Sequence, residues 1–162
     1  GIGQLSFGDA GGTNTPAFLA YANADQTGIT DHAMTKVTFQ TEEFDSDNAF
    51  DNSTNYRFTV PSGEGGLYFI GFNFIGARDN QTKNVRGQIH KNGSAINAGQ
   101  LDLNSTPNGY AMHIHLTRLI ELSAGDYIEF FASVDSQDGN TVTFFQSNSG
   151  GDACYCYGYK IA

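Results

Sequence analysis

From residue 16 onward, apolar and polar side chains alternate with a period near two, broken at short intervals by Gly, Asn, Asp and Ser. Tyr56 to Val60 places Tyr56, Phe58 and Val60 on one face and Arg57 and Thr59 on the other, the pattern of a half-buried strand. Leu67 to Ile75 differs, because Tyr68, Ile70, Phe72 and Phe74 share one face while Leu67, Phe69 and Ile75 share the other. One face of an antiparallel sheet normally meets water. A strand apolar on both sides needs a core beneath it and a further layer above, and a second copy of the chain is the simplest such layer.

The same pattern predicts further strands over 16–22, 34–39, 85–91, 94–97, 110–122, 127–134, 141–146 and 153–162. Tyr110 to Leu122 alternates instead of repeating at the three- and four-residue spacing of a helix. Polar loops are expected over 23–31, 41–55, 77–84, 99–109, 135–140 and 147–152, with tight turns at Val60-Pro61-Ser62-Gly63 and Ser123-Ala124-Gly125-Asp126. Asn92-Gly93 between two strands is a hairpin signal, since both residues tolerate positive φ. Residues 1–15 hold five glycines and no Gly-X-Y period; they read as a flexible arm or linker, or a neck to an upstream stalk, ahead of a head domain over 16–162. Nine or ten short strands without an amphipathic helix make an all-β sandwich, and a jelly roll suits the size.

A chain of 162 residues is long enough for one domain to bury roughly 70% of its unfolded surface. A net charge of −9, from eight Lys and Arg against seventeen carboxylates, argues against nucleic acid as a partner, because little cationic surface is left to displace phosphate counterions. No stretch nears the ~18 apolar residues of a membrane-spanning helix, so no membrane insertion is expected. Nor do the first residues carry the basic start and apolar run of an export signal.

Phe44, then Phe50-Asp51-Asn52-Ser53-Thr54-Asn55-Tyr56-Arg57-Phe58-Thr59-Val60-Pro61, then Gly66-Leu67-Tyr68-Phe69-Ile70 resembles the signature of the globular head of complement component one, subcomponent q. That family is related to the tumour necrosis factors. Leu122-Ser123-Ala124-Gly125-Asp126-Tyr127-Ile128 looks like its Leu-x-x-Gly-Asp-x-Val turn, and the aromatic, Gly-containing last strand is similar to its C-terminal strand. The resemblance covers 16–162 in the right order. It implies a ten-strand antiparallel jelly roll forming a compact homotrimer through aromatic inner strands, a binding head without catalytic machinery. The chain departs from the family in showing no Gly-X-Y collagen repeat over residues 1–15 and in carrying Cys154 and Cys156 where the family often has small or apolar residues. The DNSTNYRF wording looks like bacteriophage and bacterial versions.

The residues expected at the trimer interface are Tyr68, Ile70, Phe72, Phe74, His113, His115, Tyr155, Tyr157 and Tyr159. Leaving several such aromatics in water forfeits roughly 1.5 to 3 kcal/mol each. Cys154 and Cys156, two apart on one strand face, would have α-carbons about 6.6 Å apart, too poorly placed for a disulfide; they read as buried thiols. The resemblance places His113 and His115 near the threefold axis, where three copies would stack imidazole rings able to hold a metal or an anion, against the plainer reading of ordinary surface residues. The acidic loops, Asp135 and Asp138 among them, read either as solvated turns or as ligands for calcium or another divalent metal, though no EF-hand spacing occurs. No cofactor is required. No P-loop, Gly-x-Ser-x-Gly elbow or His-Glu-x-x-His is present, so no catalytic residue is expected.

These observations lead to a non-enzymatic trimeric head, read as a bacteriophage virion appendage, a fibre tip or decoration protein on the virion surface. Its expected partners are itself, a host-surface glycan or protein, and other virion proteins through the N-terminal arm. The alternatives are an extracellular or cell-surface adhesion head and a soluble signalling-type ligand; the sequons at Asn52, Asn80, Asn92 and Asn104 would carry glycans only in a eukaryotic secretory setting.

Overall fold

The computed structural model describes residues 14–78, 80–103, 111–146 and 153–161. The Gly-rich arm up to residue 13 and the expected loop over 147–152 lie outside them. Thirteen strands follow in order among the described residues: β1 (Ala17–Tyr21), β2 (Gln26–Ile29), β3 (Thr35–Lys36), β4 (Thr41–Asp45), β5 (Phe50–Asp51), β6 (Arg57–Thr59), β7 (Gly66–Ala77), β8 (Thr82–Lys91), β9 (Ser94–Asp102), β10 (Met112–Leu122), β11 (Tyr127–Ser136), β12 (Val142–Phe144) and β13 (Tyr155–Lys160). They form two antiparallel sheets. One is seven-stranded in the order β2-β12-β7-β13-β1-β4, with β10 on the other side of β7; the other is six-stranded in the order β5-β6-β11-β8-β9, with β3 also on β11.

β7 is the spine of the first sheet. Its partners β10, β13 and β12 cover nearly its whole length, which leaves its backbone groups paired. Tyr68, Ile70, Phe72 and Phe74 point from it into the sandwich and are 0% exposed. Here the structure corrects the expectation that these four lie at a trimer interface. With no area left in one chain, they have none to lose to a second copy. Alternation shows that both faces of the strand are apolar, but only the packing of the second sheet shows which face is core.

Aromatic rings fill the space between the sheets. Phe18 stacks on Phe58 at 4.8 Å and on Phe50 at 5.1 Å, while Phe72 meets Phe130 at 5.2 Å and Phe74 meets Phe144 edge-on at 4.7 Å. Such pairs add ~0.5–1.5 kcal/mol each to the burial of their area. Gly158 makes room in this core, since a Cβ there would stand 2.5 Å from Ile70 and 2.7 Å from Phe18. At the end where the sheets approach, β10 packs against β8 and β9, and Leu116 sits over the facing pair Gly87 and Gly99.

Several expected loops contain strands. β2 lies within 23–31, β4 and β5 lie within 41–55, and β9 runs on to Asp102. β2, β4 and β5 are mostly polar, Ile29, Phe44 and Phe50 apart, because they border the sheets, where backbone pairing needs no apolar side chain. Tyr56, expected in a strand, has φ of 49° and closes the preceding turn, so β6 begins at Arg57. The Asn92-Gly93 hairpin forms as expected, with φ of 51° and 79°.

Candidate assembly surface and loop sites

The outward face of the seven-stranded sheet is where the apolar side chains collect. Strand register sets Phe44 beside Leu19, Leu19 beside Tyr157, and Tyr157 beside Gly71. The flanking rows run Tyr21, Tyr155, Asn73, His115 and Tyr159, Phe69, Leu119. None of the aromatic or aliphatic members is fully buried in one chain; Phe44 is 50% and Leu119 56% exposed. A continuous apolar sheet face of this kind is unusual on a monomer.

Its geometry is specific. A Cβ on Gly71 would come within 2.6 Å of the Tyr157 ring and hydroxyl, so the bare glycine lets the tyrosine lie flat across β7. Tyr157 Oη then reaches His115 Nε2 at 3.1 Å. Phe69 sits between Tyr157 and Tyr159, at 6.0 and 5.6 Å. Burial, and then the neighbouring Tyr155 and Tyr159 hydroxyls, push the Tyr157 phenol above its ordinary value. Beside the face, a cleft of about 180 Å³ is lined by Leu19, Tyr21, Glu43 and Tyr155.

The loop sites are of another kind. A broader groove of about 530 Å³ runs along 47–53 and 59–61. Asp51 organises its wall by accepting the backbone N–H groups of Ser53, Thr54 and Asn55 and the Asn55 amide. Hydrogen bonds from Thr54 and Ser53 first, and from Asn55, hold its carboxyl far below the usual range. Its oxygens serve the turn. Asp135 is engaged by Lys83 at 3.3 Å and by His32 and Asn84 at 3.4 Å, and Asp138 by Arg78 at 3.1 Å. Among the described residues, no three or more His, Cys, Asp and Glu side chains come together as a metal group.

Compared by sequence, the chain matches no family model and no curated protein. Compared by structure, it is similar to the globular domain of the zebrafish complement 1qA protein, with TM-score 0.59 and 14% identity over 91% of this chain and 98% of that one. It is also similar to the Eiger tumour necrosis factor from S. frugiperda, with TM-score 0.62 and 11% identity over 90% and 92%. Murine APRIL matches with TM-score 0.60 and 9% identity over 90% and 98%. The chain has the complement-head and tumour-necrosis-factor jelly-roll fold.

Within this jelly roll, the expected interface residues divide. His113, His115, Tyr155, Tyr157 and Tyr159 do share the outward face of the seven-stranded sheet, whereas Tyr68, Ile70, Phe72 and Phe74 are core. The expected interface set left out Phe44, Leu19, Tyr21, Phe69 and Leu119, although Phe69 already stood on the second apolar face of the strand over 67–75. Leu119 carried a signal, since it alternates in phase with His113 and His115. Cys156 on the inner side of β13 and Cys154 just before that strand are free and buried, as their spacing suggests, and burial pushes the Cys154 thiol up to about 12.

Proposed function

We propose that this jelly roll is a non-enzymatic binding head that works as a homotrimer, carried as a bacteriophage virion appendage that meets the host surface. The observation that carries the assembly is the open row Phe44, Leu19, Tyr157 and Gly71 with its flanking aromatics. Covering such a face returns roughly 1.5 to 3 kcal/mol for each large side chain removed from water. The two edges of the face differ, with β4 at one and β10 at the other, and in this reading the copies join head to tail, edge β4 toward edge β10, into a closed ring. Three copies give that ring in the reading favoured here, with His113 and His115 facing inward and no resident cofactor needed.

Recognition then falls to loops and to the outer sheet, which the ring leaves open. The virion role rests on the wording of residues 51–58 and on the unbridged thiols, which fit assembly inside a cell. Sedimentation of the purified head tests the assembly, and a glycan array followed by binding to bacterial cells tests the role. A single species of 17.4 kDa overturns the first, and a head that ignores every glycan and every cell overturns the second. The fold shared with tumour necrosis factors supports a second reading, an extracellular signalling-type ligand; glycans found on Asn52 or Asn80 of the natural protein would favour it.

A further inference from the structure

The six-stranded sheet carries a groove of about 340 Å³ on its outer side, lined by Arg86, Gln88, Ala98, Gly99 and Gln100. Arg86 is held in place from two sides. Its Nε donates to Gln100 Oε1 at 2.8 Å, and its Nη1 meets His32 Nε2 at 3.4 Å. Each acceptor is fixed in turn, because Gln100 Nε2 donates to Asp102 at 3.1 Å and His32 Nδ1 faces Asp135 at 3.4 Å. A proton on Nδ1, directed at the carboxylate, leaves Nε2 as an acceptor for the guanidinium.

Arg86 nevertheless has no carboxylate partner among the described residues, whereas Lys36, Arg78, Lys83, Lys91 and Lys160 each do. Gln88 adds to the imbalance. In the tautomer of His90 that carries its proton on Nε2, the Gln88 Oε1 accepts that proton at 2.8 Å, and its amide N–H groups are left without a protein partner among the described residues. The groove thus spends its side-chain acceptors on internal bonds and keeps donors, a positioned guanidinium and an amide, for whatever enters. Ala98 and Gly99 give it a wall free of bulky side chains, against which the C–H face of a ring can lie.

We propose that this groove binds a saccharide bearing a carboxylate, a uronic or other acidic sugar, with Arg86 on the carboxylate, Gln88 on an adjoining oxygen and the sugar ring against Ala98 and Gly99. Arginine is suited to this task because its planar fork meets both oxygens of a carboxylate. A preset fork loses little freedom on binding. The inference rests on the binding-head reading and names its ligand class. Because the groove lies on the sheet opposite the apolar face, a ring of three heads would display three such grooves, so that a weak site gains from multivalency.

The test is an NMR titration of the full chain, labelled with 15N, using D-glucuronate, D-glucose, acetate and a glutamate-containing dipeptide as probes. Glucuronate is expected to move the Arg86, Gln88 and Gln100 side-chain signals, with glucose inert and acetate and the dipeptide weaker. Arg86→Gln should weaken glucuronate binding by about tenfold or more, while Arg118→Gln, at an exposed arginine on β10, should leave it unchanged. Should Arg86→Gln disturb the fold, Gln88→Leu serves as the second variant and is expected to weaken binding with Arg86 and its partners intact. Equal binding of glucose, indifference to both substitutions, or acetate or dipeptide binding as tight as glucuronate overturns the proposal. If neutral glycans bind elsewhere while glucuronate leaves the groove unmoved, the groove assignment fails and the binding head stands. A head that takes no saccharide of any class removes both.

Discussion

Asn92 and Asp126, in turns 34 residues apart, hold each other by side chains: Asn92 Nδ2 donates to Asp126 Oδ1 at 2.7 Å. Asn92 Oδ1 accepts the N–H of Tyr127 at 2.9 Å, and Asp126 Oδ2 accepts that of Ser123 at 2.8 Å and pairs with Lys91 at 2.8 Å. The Asn-Gly hairpin and the Ser-Ala-Gly-Asp turn are thus one unit, which fixes where β8 ends and β11 begins. The Lys91 ammonium first, then the Asn92 amide and the Ser123 N–H, hold the Asp126 carboxyl down to about 2.

Replacing Asp126 with Ala should therefore cost about 1.5 kcal/mol or somewhat more, the usual value for hydrogen bonds to a charged group. The pH dependence has a definite sign. The folded carboxyl titrates below its ordinary value of 3.8, so its contribution is complete above that pH and is lost as pH falls toward 2. Urea unfolding at pH 7 and at pH 3 should show a smaller gap between native and variant at the lower pH. An equal gap at both would mean that the charge is irrelevant.

Tyr157 and Gly71 set the shape of the apolar face. A methyl group at residue 71 meets the far end of a half-exposed side chain, which can swing away. Gly71→Ala is expected to leave thermal stability nearly unchanged and to weaken self-association clearly, as read by sedimentation equilibrium. A large drop in melting temperature would place Tyr157 in the fold and not in the interface.

Leu119 provides a cleaner probe of the same surface. It is 56% exposed in one chain, so Leu119→Asp should not disturb the monomer, yet a charge in a covered apolar seam is costly. The expected product is a folded 17.4 kDa species with native circular dichroism. Retention of the native oligomer would move the interface elsewhere.

Gly158 tests the core. Its Cβ would strike Ile70 and Phe18 inside the sandwich, where neither can leave, and overpacking of this kind costs about 1 to 3 kcal/mol. Gly158→Ala should lower the urea midpoint far more than Gly71→Ala does. The two substitutions are chemically identical, so the contrast measures only the side of the sheet.

Cys154 and Cys156 should resist thiol reagents in the native protein, because both are buried and Cys154 is pushed up to about 12 by that burial. Reaction with Ellman's reagent at pH 8 is expected only after denaturation. Rapid labelling of the native head would show that β13 opens.

The sequence by itself determined the all-β class, the Asn92-Gly93 turn, the unbridged cysteines and the presence of strands too apolar for a single solvated sheet. All of these follow from neighbours within a few residues, where period and turn chemistry act directly. Only the tertiary structure decided which side of β7 is core and which is open, because a strand apolar on both faces reads the same from either side until a second sheet packs against one of them. It also decided that polar stretches such as 41–45 pair as border strands, and that Arg86, Gln100 and His32, which come from three separate segments, meet over one groove. Contacts of that range depend on sheet order and register, and alternation along one strand carries no information about its neighbours.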